Sequence, residues 1–286
     1  MTTGQAPGVR RRRLSAALRR LRLDLKLSSP DVADQLGWST GKVTRIERNE
    51  WKRPGAKDVT ALLDLYGVLG EERAHLLSLT EEARGRSDWH QYQDLFPGSL
   101  PELEAEAVRI RTYESVLVPG LLQTPGYACA VSKASQIVPA DKIARKVESR
   151  MLRRSVLDAP SGPHLTAVID EAALRKVVGS HAVMAEQLRF LTGMAAHYKV
   201  TVLVVPDEAG AHTAMDGAFT LFDFPRPEPG IVSIPTGLEA LYVEDSVYFD
   251  RHTLIFDGVQ NLALEPERSL ALIDSIAAEH ERRARP

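Results

Sequence analysis

The residues best equipped for chemistry lie between Ser39 and Arg48, in the run Ser-Thr-Gly-Lys-Val-Thr-Arg-Ile-Glu-Arg. At helical spacing Val43 and Ile46 share one face, and Thr40, Gly41, Lys42, Thr44 and Arg45 occupy the other. Arginine and lysine donate to guanine O6 and N7, and threonine offers a hydroxyl and a methyl, so this face has what is needed to read base edges. Lys42 and Arg45 lead, with Thr40 and Thr44 beside them; the alternative for each cation is a phosphate, which fixes position without reading sequence. Arg11, Arg12, Ser29, Ser39, Lys52 and Arg53 are the candidates for phosphate contact. Gly41 lacks a side chain that would hold the helix away from a groove floor, or is simply a tolerated weak position.

Other chemistry finds little support. No phosphate-binding loop, zinc-protease motif, nucleophile elbow or dinucleotide fingerprint occurs. The single cysteine, Cys129, excludes an intrachain disulfide and argues against a cysteine-based metal site. Asp170 and Glu171 read as a helix cap and a first-turn acid rather than a catalytic pair. His212 sits in a polar loop after an apolar strand, a place where ligands bind in many α/β folds, although nothing else converges there and an ordinary surface loop is the favoured reading. Arg145, Arg150 and Arg153 lie on a basic helix over 141–157. That helix is a docking face for an acidic partner, a further DNA strip, or a solvated surface. The chain is expected to be no enzyme and to hold no cofactor or metal.

A compact support for the reading face is written around it. Leu14, Ala17, Leu18, Leu21 and Leu25 form one stripe of a helix over 10–25. Ser29 is expected to cap a short second helix with Pro30 at its first position, and Val32, Ala33 and Leu36 face inward. Gly37 ends it, Trp38 is the apolar residue of the turn, and Ser39 caps the third helix, 40–48. Ala33, Gly37, Trp38, Val43 and Ile46 thus make the core of a helix-turn-helix, which props one helix outward to enter a major groove. Helices over 58–66 and 71–84 complete the bundle. The run from Ser29 to Arg48 resembles the Xre/lambda-repressor-like helix-turn-helix family, and departs from it at Ser29, where glutamine is usual. The resemblance implies binding to double-stranded DNA as a homodimer.

Beyond a linker at 85–100, Ser99 and Glu102 form a capping box for a helix running to about Arg111. Residues 115–118 read as a strand, 126–134 as a helix. Strands follow at 164–169, 200–205, 218–224 and 238–243, with helices at 171–178, 181–198, 251–262 and 266–283. Leu117-Val-Pro-Gly-Leu-Leu-Gln-Thr-Pro-Gly-Tyr127, Val168-Ile-Asp-Glu-Ala-Ala-Leu174, Gln187-Leu and Leu241-Tyr-Val-Glu244 resemble the C-terminal domain of unknown function of actinobacterial, WhiJ-like and antitoxin-like regulators. In that family arginine is usual where this chain has Cys129. The resemblance implies a regulator that pairs with a small cognate protein encoded nearby.

Charge divides the chain in the same way. Residues 1–55 hold 13 Lys/Arg and 5 Asp/Glu, whereas the whole chain has a net charge of −2. A basic end on an acidic body reads as an end that meets a polyanion or as a solvated basic tail, and the helix-turn-helix pattern favours the first. No apolar run is long enough for a membrane helix, and no signal peptide is evident, so a cytoplasmic protein without membrane contact is expected. The expected architecture is an all-α helix-turn-helix bundle over 1–84, followed by a mixed α/β (α+β) domain with a small sheet over 101–286. Its expected function is transcriptional regulation, with the second domain sensing a partner protein or a small-molecule effector. The alternative is an antitoxin-like protein that binds a small cognate protein and regulates its own operon.

Overall fold

A computed structural model of the chain describes residues 7–51, 55–84, 100–135, 139–225, 228–236 and 240–285, with side chains from residue 10 onward. They fall into two compact units, one ending at Glu106 and the other beginning at Ala107. The expected linker, apart from residue 100, lies outside the described residues, as do Lys52, Arg53 and Ser99.

The first unit holds helices α1 (Pro7–Asp24), α2 (Ser29–Leu36), α3 (Thr40–Glu47), α4 (Ala56–Leu65), α5 (Gly70–Glu82) and α6 (Leu100–Glu106). Leu14 and Leu18, one turn apart on α1, meet Val32, Val43, Val59 and Leu63 in a core from which water is excluded. Beneath it the Glu47 carboxylate takes two hydrogen bonds from Arg22, at 2.6 and 2.7 Å, and Arg22 also donates to the Leu27 carbonyl at 2.6 Å. This buried pair ties the end of α3 to the end of α1. One expectation is corrected. Ser28, not Ser29, caps α2: its hydroxyl accepts from the Asp31 amide, and Asp31 Oδ2 accepts from the Ser28 amide at 2.7 Å. Ser29 is the first helical residue, and Pro30 follows it. The Ser28 hydroxyl and then its amide hold the Asp31 carboxyl below its usual range.

The second unit is α+β. Six strands, β1 (Arg109–Glu114), β2 (His164–Asp170), β3 (Val200–Val205), β4 (Phe219–Asp223), β5 (Ile231–Pro235) and β6 (Ala240–Val243), form one mixed sheet in the order β3-β2-β1-β4-β5-β6. β1, β2 and β3 are parallel, with Ile110 opposite Leu165 and Val168 opposite Leu203; β1 and β4 run antiparallel. Among the described residues six α-helices accompany the sheet: α7 (Pro125–Ala134), α8 (Ile143–Arg154), α9 (Glu171–Arg175), α10 (His181–Met194), α11 (Ser246–Gln260) and α12 (Pro266–Ala284). Phe256 and Val259 of α11 cover Val168, Leu203, Leu221 and Val232. Val202 and Val204, which point the other way, are equally buried, so both faces of the parallel part are covered.

Three expectations change here. The helix after residue 100 ends at Glu106, and Arg109–Glu114 is the central strand β1. Arg111 is buried there because Asp223 takes it in two hydrogen bonds. Residues 115–118 form no strand. They enter a knot of polar contacts: the Val118 amide donates to the Tyr127 hydroxyl at 3.2 Å, and Gln123 Nε2 donates to the Val118 carbonyl at 2.7 Å. From α10, the fully buried Gln187 accepts from the Thr124 amide and donates to the Leu122 carbonyl, each at 2.7 Å. β5 was not foreseen at all.

Candidate nucleic-acid interface

Helix α3 is positioned from both ends. Ser39 has extended backbone, and its hydroxyl accepts from the Lys42 amide at 3.3 Å. Before it, Gly37 takes φ +64° and its amide returns to the last turn of α2, an αL conformation that strains any residue with a Cβ. Val43 and Ile46 are buried against Ala33, while Trp38 packs half-buried at the rim of the same core.

The outer side of α3 exposes Thr40, Gly41 and Arg45, with Thr44 half-buried. Thr44 Oγ1 donates to the Thr40 carbonyl at 3.1 Å, which turns its methyl outward from that bond. Around Gly41 the position of a Cβ meets no atom within 4 Å, so the surface at this point is open. Arg45 and Arg48, both exposed, have no ion-pair partner among the described residues. Lys42 differs from them. Its ammonium lies 2.8 Å from Asp58 Oδ1 in the first turn of α4 and 3.7 Å from the Trp38 ring centroid. Sequence reasoning placed Lys42 with Arg45 as an open reader; the structure folds it back onto its own unit.

The start of α1 carries four arginines in a row. Arg10 pairs with Glu82 and Arg13 with Glu106, each at 3.2 Å. Arg11 and Arg12 are half-buried and engaged. Through Arg10 and Arg13 the beginning of α1 is tied to acids of α5 and α6. Three glutamates of α6, Glu102, Glu104 and Glu106, are buried. The sequence carried a signal for this, because an acidic helix needs a basic neighbour wherever it is buried.

In the second unit the four candidate surface residues do not converge. Arg153 is buried, Arg150 donates to Gln123 Oε1, and Arg145 is exposed but engaged. The basic side of α8 is thus partly drawn into the fold and is not a continuous open face. His212 belongs to another cluster, with its Nε2 3.4 Å from the Tyr113 hydroxyl and 3.5 Å from Asp170 Oδ2. Asp170 caps α9 through the Ala172 amide, as read from the sequence.

Glu114, at the end of β1, escaped the sequence reading. Burial pushes its carboxyl up to about 8, against the pull of the Arg150 guanidinium. A carboxyl that binds its proton more tightly when folded stabilises the fold fully below its unfolded value; that contribution is lost as pH rises through the folded one. Glu114→Gln is therefore expected to raise the unfolding midpoint above pH 8 and to leave it unchanged near pH 4. Unfolding curves across that window check it; parallel profiles for both proteins would refute the burial.

Two family models match the chain. A helix-turn-helix domain matches residues 13–76, and a domain of unknown function, DUF5753, matches residues 98–275. No curated protein and no solved structure matches it. Among the described residues no helix is long and apolar enough to cross a membrane. The first unit is a helix-turn-helix domain, an architecture for binding DNA, with α3 as its projecting helix.

Proposed function

The chain belongs to the DUF5753 family and carries a helix-turn-helix domain ahead of that region, and from this premise we propose that it is a sequence-specific transcriptional regulator. The observation that carries the reading is the outer face of α3: Arg45 is exposed and unpaired among the described residues, on the same side as Thr40, Thr44 and an open glycine. Arg45 reads a guanine edge, Thr40 and Thr44 contact neighbouring bases, and Ser39 anchors the helix near phosphate. The protein acts in the cytoplasm, without catalysis, as a homodimer on two half-sites about one helical turn apart. Resemblance to Xre/lambda-repressor-like proteins supports this geometry.

The second unit receives the signal, from a small cognate protein encoded nearby or from a small molecule. The resemblance of Pro119–Thr124 and its surroundings to WhiJ-like, antitoxin-like regulators of actinobacteria supports the protein input. A single occupied genomic site beside its own gene would favour an antitoxin that regulates its own operon; many sites would favour a broader regulator.

The test is selection of a binding site from a randomised duplex pool, followed by titration. Arg45→Ala is expected to weaken the selected site about 10- to 100-fold and to relax its preference at one base pair, the loss of one bidentate contact. Arg45→Lys restores charge without the fork and should not recover discrimination. Unchanged affinity and an unchanged selected sequence in Arg45→Ala would sink the assignment.

A further inference from the structure

We infer that Asp58 is a specificity-determining residue of the DNA-binding unit, acting by withholding the Lys42 ammonium from the nucleic-acid backbone. The inference rests on the proposed reading of α3 and deepens it. Lys42 lies in the first turn of α3, on the side from which a flexible four-carbon stem can serve either DNA or its own protein. In the structure it does the second, 2.8 Å from Asp58 Oδ1 and seated over the Trp38 ring at 3.7 Å. Two partners on different elements hold one cation. Asp58 is itself held by place: it lies in the first turn of α4, after Gly55, a cap without a side chain. An acidic side chain in a first helical turn is favoured by the helix dipole.

The consequence follows from charge. Lysine is a strong non-specific phosphate binder because its ammonium is a rotatable point charge, whereas arginine reads bases through a planar fork. Neutralising Lys42 locally leaves Arg45 of α3 and Arg48, which caps it, as unpaired cations there among the described residues. The helix then gains less from any duplex and keeps its gain for the right one. The pair is one-third exposed on each side, 32% and 35%, so it is solvent-screened and cannot act as a rigid lock. It acts as a competitor that phosphate must displace.

Asp58→Asn frees the ammonium. One more neutralised phosphate steepens the slope of log affinity against log salt by about 0.9 and raises affinity for a random-sequence duplex roughly fivefold at 0.15 M salt. Affinity for the tightest selected duplex should rise less, so the ratio between the two falls. Removing any acid near DNA weakens repulsion, and a double-mutant cycle separates that from release of Lys42. In a Lys42→Gln background, Asp58→Asn should leave the slope unchanged. A slope unaltered by Asp58→Asn alone, or altered equally in both backgrounds, overturns the inference. The Arg45→Ala titration is the separate check: if it leaves affinity unchanged, the reading of α3 fails whatever Asp58 does. A wild-type protein that binds no duplex would overturn both.

Discussion

Glu47→Ala is expected to lower the stability of the first unit by about 3–5 kcal/mol, the range seen when one partner of a buried ion pair is removed. Both side chains are under one-tenth exposed, 9% for Arg22 and 7% for Glu47. The variant leaves the guanidinium desolvated with only the Leu27 carbonyl for company. Whole domains are stable by about 5–15 kcal/mol, so this single change takes a large part of the total. Glu47→Gln keeps the shape and one acceptor and should fall between wild type and alanine. Replacing both partners by apolar residues, Arg22→Met with Glu47→Leu, should recover most of the loss, because no charge is then stranded. Denaturant unfolding followed by circular dichroism measures all three. An alanine variant within 1 kcal/mol of wild type would mean that water reaches the pair. The Tyr66 phenol offers a second readout: burial first, then the Glu47 charge, push it up, so removal of the carboxylate should bring its titration down.

Gln187→Ala should cost the second unit about 2–6 kcal/mol, since it strands a buried backbone donor at Thr124 and a buried acceptor at Leu122, at about 1–3 kcal/mol each. Gln187→Met fills the volume and leaves the same two groups unpaired, so it should rescue little. Gln187→Glu separates the two bonds. Its charged carboxylate can still accept from Thr124 but cannot donate to Leu122; protonated at low pH, it can do both. The glutamate variant should therefore approach wild type as pH falls toward 4 and diverge from it at pH 7. Thermal unfolding against pH checks this, and equal stability of all four proteins would show that Gln187 is dispensable.

The sequence was most readable where short-range rules decide. Ser39, Gly37, Val43 and Ile46 follow from capping and period alone, and they place α3 without knowledge of any distant contact. The two adjacent serines show the limit of that reading: both suit a cap, and Asp31 settles the matter only when counted from Ser28, three residues before it. The Lys42–Asp58 pair was not legible because its members lie 16 residues apart, and an exposed helical position says nothing about where a long side chain turns. β1 was misread for a related reason. Arg-Ile-Arg-Thr-Tyr-Glu looks too polar for a strand buried along four consecutive residues, but Asp223 and Thr220 supply the partners for Arg111 and Thr112. The apolar Val116–Val118 drew the strand assignment instead. In the second unit, then, the polar partners that make burial tolerable come from far along the chain, and local patterns cannot register them.

The position of β1 has a consequence for how the protein is made. Arg109 is joined to Asp223 across 114 residues, and ribosomes extend a chain at about 5–20 residues per second. The middle strand therefore emerges on the order of ten seconds before its antiparallel neighbour exists. By then every described element of the helical unit has left the exit tunnel. During translation the DNA-reading head can be finished while the sheet is still open along one side, and the nascent chain is at its most vulnerable to aggregation in that interval.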